Sequence, residues 1–433
     1  MSLLVENARI VTQNEGREIF EGSVYVEGNR IVEVSKGRIN VEAERKLDGT
    51  GCLLMPGLIN THTHAPMTLL RGYGDDMLLE EWLHNRIWPV EAKLTPATVD
   101  VGTKLALLEM ISSGTTCFSD MYFFEDTIAR VTRDAGVRGF LGFSLLDFGT
   151  PEIKPDEMLC ECERYVRRWK GEEIVKPVVA PHATYTCSPE LLSKCAEIAD
   201  ENGVLLHTHC SETRKEIYDV QNKYGKRPVQ QLADCGLLGE RTTLAHCGWL
   251  TKQEVADIAR AEAKVSHNPV SNMKLATGGY TPLPELFDAG ATVGLGTDGA
   301  ASNNTLDMFE TMKFAALIHK HHRWDPQVCN AQAVLDMATL GGAETLGLGS
   351  ELGSIEEGRL ADFILLDTKN PRMTPMFSPV SHLVYAARGS DVKATVINGK
   401  MVYENGKFAT LDCEMILEDA RSAASELSGK AAR

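Results

Sequence analysis

The chain has 433 residues, 43% of them hydrophobic and 24% charged, values of a folded globular protein and unlike those of a disordered, collagenous or coiled-coil chain. At about 150 residues per domain, that length allows one large domain and a smaller one. With 44 basic against 60 acidic side chains the net charge is −16, a field that repels phosphate backbones and anionic lipid, so neither nucleic acid nor a membrane surface is an expected partner.

The opening Met1-Ser2-Leu3-Leu4-Val5-Glu6-Asn7 lacks the basic stretch, apolar core and cleavage site of a secretory leader. Residues 3–35 alternate apolar and polar positions between Gly- and Asn-containing turns, which predicts short antiparallel strands. The same texture returns at 361–367, 392–397 and 401–403, around Asn398-Gly399 and Asn405-Gly406. Both ends are therefore assigned to one small β-sandwich domain, residues 1–55 and 350–411, split by a long insertion. Residues 412–433 read as a C-terminal helical tail that frays over 430–433. The 11 cysteines are odd in number and form no Cys-x-x-Cys pair, which predicts reduced thiols. No apolar run approaches the ~18 residues of a membrane span, and the expected location is the cytoplasm.

Residues 56–349 are assigned to a catalytic barrel, and eight β-rich runs, the first of which overlaps its start, alternate with helical stretches: 53–62, 115–121, 137–145, 175–183, 203–209, 242–247, 263–268 and 291–297. This spacing predicts parallel β/α units, and eight of them close a barrel. The expected fold is α/β, a (β/α)8 TIM-like barrel. An open doubly wound sheet is the runner-up, but it requires a Gly-rich phosphate turn after the first strand, and no G-x-G-x-x-G stands there.

His62 and His64 end the first of these runs, and alternate side chains of a strand point the same way, so two imidazoles enter one space. Alone, the pair reads equally as two satisfied strand-end histidines. His209 ends the fifth run, His246 the sixth and Asp298 follows the eighth, and in a barrel these ends gather on one face. Three imidazoles and a carboxylate around a metal leave a position open for water, the arrangement of a catalytic centre. His207 is expected to pack one layer deeper, and Cys210 and Cys247 to be small core residues, since no Cys-His dyad is in view. His319, His321 and His322 read as a solvated helix end.

Pro56-Gly57-Leu58-Ile59-Asn60-Thr61-His62-Thr63-His64, His209-Cys210-Ser211-Glu212-Thr213, Thr297-Asp298-Gly299 and Gly353-Ser354-Ile355-Glu356-Glu357-Gly358-Arg359-Leu360-Ala361-Asp362 together resemble the amidohydrolase superfamily. Within it, three further stretches resemble the deaminases of 5′-methylthioadenosine, S-adenosylhomocysteine and 5′-deoxyadenosine. They are Trp88 to Thr95, Ala180 to Cys187 and Ser266 to Asn272. The resemblance implies His62, His64, His209 and Asp298 as metal ligands, and Glu91, His182 and Glu212 as substrate-binding residues. Trp88 and Met67 are candidates to line an apolar pocket for the purine or the 5′ group, and equally to pack in the core. Two-metal relatives bridge their ions with a lysine on the fourth strand, whereas Lys176 lies at the beginning of that run, too deep to reach. One divalent metal per chain is therefore expected, zinc first, with ferrous iron or manganese as alternatives.

Deamination at C6 of an aminopurine needs the same cast. Asp298 is assigned as general base for the attacking water, Glu212 as the acid for N1, and His246 as the hydrogen-bond donor to the tetrahedral centre. The expected substrate is a small-molecule nucleoside, and a homo-oligomer is left open. Relatives that take S-adenosylhomocysteine place an arginine after the third strand. Here residues 144–154 contain none, and Lys154 is the one cation, so 5′-deoxyadenosine or 5′-methylthioadenosine is expected to be preferred. The rivals are a guanine or s-triazine deaminase or chlorohydrolase, and a non-catalytic scaffold that has lost its ligands.

Overall fold

The computed structural model describes residues 2–429. The chain begins with β1 (Ser2–Val11), β2 (Ile19–Glu27), β3 (Arg30–Ser35), β4 (Arg45–Asp48) and β5 (Cys52–Pro56). It then enters β6 (Leu58–Thr63), β7 (Thr115–Tyr122), β8 (Arg138–Leu145), β9 (Val175–Pro181), β10 (Leu205–Cys210), β11 (Thr242–His246), β12 (Lys264–His267) and β13 (Val293–Leu295). These eight pair in parallel, each with its neighbour in sequence, with helices between them, as the alternating pattern predicts. β7 and β8 are buried at every position, as strands covered by helices outside and by the barrel lumen inside must be.

The chain returns through β14 (Phe363–Asp367), β15 (Val392–Ile397), β16 (Lys400–Glu404) and β17 (Lys407–Phe408). Among the described residues these join the first five strands in one nine-stranded sheet, ordered β17-β16-β15-β14-β5-β1-β2-β3 with β4 beside β1. The sheet is mixed, not purely antiparallel, because β1 runs parallel to both β4 and β5. Leu3, Val5, Ile10, Val24, Phe363 and Val396 are among its buried residues. The tail forms a helix over Cys413–Ser428, and the expected fraying at 430–433 lies outside the described residues.

The run 53–62, expected as one strand, is two. β5 belongs to the mixed sheet and β6 to the barrel, and the chain changes sheet at Gly57. A Cβ there would lie 2.1 Å from Oγ1 of Thr116, so only glycine allows this approach. The two bodies are clamped by a buried ion pair. Nε of Arg138 on β8 lies 3.0 Å from Oδ2 of Asp362, which is also reached through its Oδ1 by the N–H of Asn398 at 2.8 Å.

Between β13 and β6 no strand ladder forms, and polar groups close the seam. Oγ1 of Thr61 donates to the Leu295 carbonyl at 3.0 Å, Nδ2 of Asn60 to Oγ1 of Thr297 at 2.7 Å, and the N–H of Asp298 to the His62 carbonyl at 2.9 Å. This stitching sets Asp298 beside the His62 strand end.

Candidate metal centre and active site

The strand period delivers His62 and His64 to the same space, with ring centroids 4.9 Å apart. His209, at the end of β10, comes within 5.0 Å of the first ring and 5.4 Å of the second. Each ring is turned by a bond at its other nitrogen. Nδ1 of His64 donates to the Met121 carbonyl at 2.6 Å, and Nδ1 of His209 to the His182 carbonyl at 2.9 Å. Nδ1 of His62 lies 2.9 Å from Nε2 of His207, whose Nδ1 reaches Oγ of Ser119 at 3.1 Å. In the neutral rings with Nδ1 donating, the Nε2 lone pairs face one another, the second-layer pattern that orients metal ligands. His207 therefore sits one layer deeper, as expected.

Nε2 of His62 is buried and has no hydrogen-bond partner. Asp298 faces it, with Oδ1 at 3.5 Å from that atom and 3.3 Å from Nε2 of His64. Burial holds His62 down at about 4 and His209 well below the ordinary histidine range, so both are neutral imidazoles. Burial also opposes charge on His64, but the adjacent Asp298 carboxylate outweighs it and raises the group to about 9. The place of that proton is the place a cation would take. An orphaned buried nitrogen, two further imidazoles and a carboxylate fit a divalent ion of the zinc type.

His246 also approaches the cluster, and its donor atom groups with those of His62 and Asp298. Its hydrogen bonds separate it from the ligands. Nδ2 of Asn272 at 3.0 Å and Nδ2 of Asn268 at 3.3 Å both point at its Nδ1, which must accept. Nε2 then carries the proton and is a donor toward the cluster. It lies 3.9 Å from Oε2 of Glu212, whose carboxyl burial pushes above the usual carboxylate range.

These groups open on a cavity of about 370 Å³, lined by His64, His182, His209, Glu212, His246 and Asp298 on its polar side. Its other walls are mainly apolar. They include Met67 and Trp88, both anticipated, together with Leu79, Trp82, Leu83 and Ile87 from the segment after β6, and Leu146, Phe148 and Pro151 after β8. Among the described residues, no lysine or arginine lines the cavity. Glu91 ends the short helix Trp88–Glu91. Its carboxylate is buried in the cavity wall and accepts from the Tyr122 hydroxyl at 2.8 Å. Nδ1 of His182 meets Oγ1 of Thr186 at 2.9 Å.

Sequence reasoning missed three groups that hold the site. Oγ of Ser271 donates to Oδ2 of Asp298 at 2.6 Å. Tyr122, at a strand end, holds Glu91. Glu216 accepts the backbone N–H groups of Ser211 and Glu212. The signal for Glu216 is in the sequence: Thr213-Arg214-Lys215-Glu216 reads as a capping box, and Thr213 does cap the helix Arg214–Tyr224. One expectation is overturned. His319 is wholly buried, not solvated, because its face of the helix Met308–Arg323 packs inward against His267.

The whole chain has close counterparts. It is 44% identical over 413 residues to the 5′-deoxyadenosine deaminase of Methanothermobacter thermautotrophicus, covering 95% of this chain and 96% of that one. It is 46% identical over 404 residues to the 5-methylthioadenosine/S-adenosylhomocysteine deaminase of Thermococcus onnurineus, covering 93% and 94%. Among solved structures, an adenosine deaminase from Xanthomonas campestris with bound zinc superposes with a TM-score of 0.96 at 35% identity, covering 99% of this chain and 98% of that one. The model of the amidohydrolase family matches residues 53–402, from β5 through the barrel to β16. A barrel whose strand ends gather His62, His64, His209 and Asp298, matched over that span, places the chain in the amidohydrolase family.

Proposed function

We propose that the protein is a divalent-metal-dependent aminohydrolase that converts 5′-modified adenosines into the corresponding inosine derivatives and ammonia. The observation that carries the reading is one cavity lined by His64, His209 and Asp298 of the cluster and by two further buried carboxyl groups, Glu212 and Glu91. The names of the relatives support the substrate class.

His62, His64, His209 and Asp298 would hold the metal, zinc first by its donor set. Bound there, it supplies the Lewis acidity that brings a water pKa from 15.7 down to about 7. Lys176, whose Nζ bonds the Glu172 carbonyl, stays at the far end of β9, so a single ion per chain suits the site. Asp298, its carboxylate fixed by Ser271 and the Gly299 N–H, collects the proton of the attacking water and passes it to the C6 amino group. That group leaves as ammonia as the C6–N bond breaks, while the remaining hydroxyl proton returns to Glu212. Glu212 protonates N1 of the purine as C6 becomes tetrahedral; its raised carboxyl pKa favours the acid form. His246 donates from Nε2 to the attacking oxygen. Glu91 accepts from the ribose hydroxyls, with His182 and Trp88 completing the wall. The scaffold alternative is disfavoured by a complete ligand set.

The 5′ end of the substrate would meet Phe148, Gly149, Thr150 and Pro151, a wall without a cation. Lys154 is exposed and is not among the lining residues. An amino-acid tail would find no partner for its carboxylate, so 5′-deoxyadenosine and 5′-methylthioadenosine are the preferred substrates. Incubation with 5′-deoxyadenosine, followed by ultraviolet absorbance and ammonia release, tests the reading.

A further inference from the structure

His246, the last residue of β11, and Cys247 after it have φ of 74° and 53°, two consecutive non-glycine residues in the left-handed region. Such a conformation persists only where its surroundings over-determine it. The peptide between them is held on both sides: the Cys247 N–H donates to the Cys210 carbonyl at 2.9 Å, and the Thr281 hydroxyl donates to the His246 carbonyl at 2.6 Å. With its one proton committed there, Thr281 Oγ1 must accept from Nδ1 of His267 at 2.8 Å. Nε2 of His267 then carries a lone pair and accepts from Nε2 of His319 at 3.1 Å. Both imidazoles are buried, and burial lowers both below the ordinary histidine range, to about 4 for His319, so neither charge disturbs the chain. None of the three residues lines the cavity.

We propose that Thr281, His267 and His319 are a positioning relay for His246. The Thr281 hydroxyl, its rotor fixed by two buried imidazoles, holds the left-handed peptide that keeps Nε2 of His246 turned toward Glu212 and the metal cluster. One ring thus takes its aim from both sides: Asn268 and Asn272 set the tautomer, and the relay sets the backbone. The relay rests on the reading of His246 as a donor to the attacking oxygen.

Two pairs of variants test it. Thr281→Val removes the hydroxyl at constant shape and should lower kcat at least ~10-fold with KM within about twofold of wild type, since a misplaced donor weakens the transition state more than substrate binding. Metal content should be unchanged, and Thr281→Ser should recover kcat to within about threefold. At the far end, His319→Leu should lower kcat in the same sense, and His319→Gln, which keeps a donor near Nε2, should restore it. A crystal structure of Thr281→Val should show the His246 peptide relaxed out of positive φ. Wild-type kcat in both Thr281→Val and His319→Leu, or loss of metal in Thr281→Val, would overturn the relay. So would an unchanged His246 peptide in the variant structure. If Thr281→Val does not fold, the His319 pair decides alone. Wild-type protein inactive on 5′-deoxyadenosine would count against the proposed activity instead, and the His246 conformation would still decide the relay.

Discussion

Glu216 holds Glu212 by its backbone: Oε2 of Glu216 accepts the Glu212 N–H at 2.7 Å, while Oε1 accepts that of Ser211 at 2.9 Å. Ser211 sits at a φ of 52°, so the turn that carries Glu212 into the cavity is itself strained and depends on this carboxylate. Glu216→Ala should keep its metal yet lose ~10- to 100-fold in kcat, the scale expected when a reacting group is misplaced by about 1 Å. Unchanged kcat in that variant would show that the turn holds without Glu216.

Glu212 and Asp298 divide the proton traffic. Glu212→Gln retains shape and hydrogen bonding but has no proton to give N1, so the rate should fall at least ~100-fold with metal content intact. Asp298→Ala should damage both. Near-normal turnover of Glu212→Gln would remove it from the acid role, and metal analysis of the same samples separates the two residues.

One divalent ion should be found per chain. His209→Ala should lose metal and activity together, because it removes one of the three imidazoles whose Nε2 atoms converge. Elemental analysis checks this. Two ions per chain at full activity, with Lys176 drawn into the site, would contradict the single-ion assignment.

The clamp between barrel and mixed sheet has a stability consequence. Arg138 and Asp362 are both buried, so Arg138→Met leaves an unpaired carboxylate and should cost about 3–5 kcal/mol in denaturant unfolding. Removing both charges, Arg138→Met with Asp362→Leu, should recover much of that loss. A single-variant cost below about 1 kcal/mol would mean the pair is not the clamp it looks to be.

What was legible in the sequence follows the strand period. His62 and His64 two apart, and His209, His246 and Asp298 at later strand ends, could be placed on one face because parallel strands of a barrel all end there. The break at Gly57 was hidden, because apolar residues continue from Cys52 across it to Ile59, and only the approach of Thr116 marks the change of sheet. His319 misled because its neighbours His321, His322 and Arg323 are polar, whereas its own burial is decided by His267, 52 residues away in sequence. Glu216 had a visible capping signal, but its carboxylate bypasses the cap position and serves the turn before the helix.

Side-by-side kcat/KM values for 5′-deoxyadenosine, S-adenosylhomocysteine, free adenine, guanine and the s-triazine ammeline decide the substrate class. Ammonia release should equal substrate consumed, with 5′-deoxyadenosine ahead of S-adenosylhomocysteine. Adenine should be poor, because it leaves the buried Glu91 carboxylate without its ribose partner at a cost of about 1–3 kcal/mol or more. Guanine or ammeline as the best substrate, or adenine turned over as efficiently as the nucleoside, would contradict the proposed substrate class.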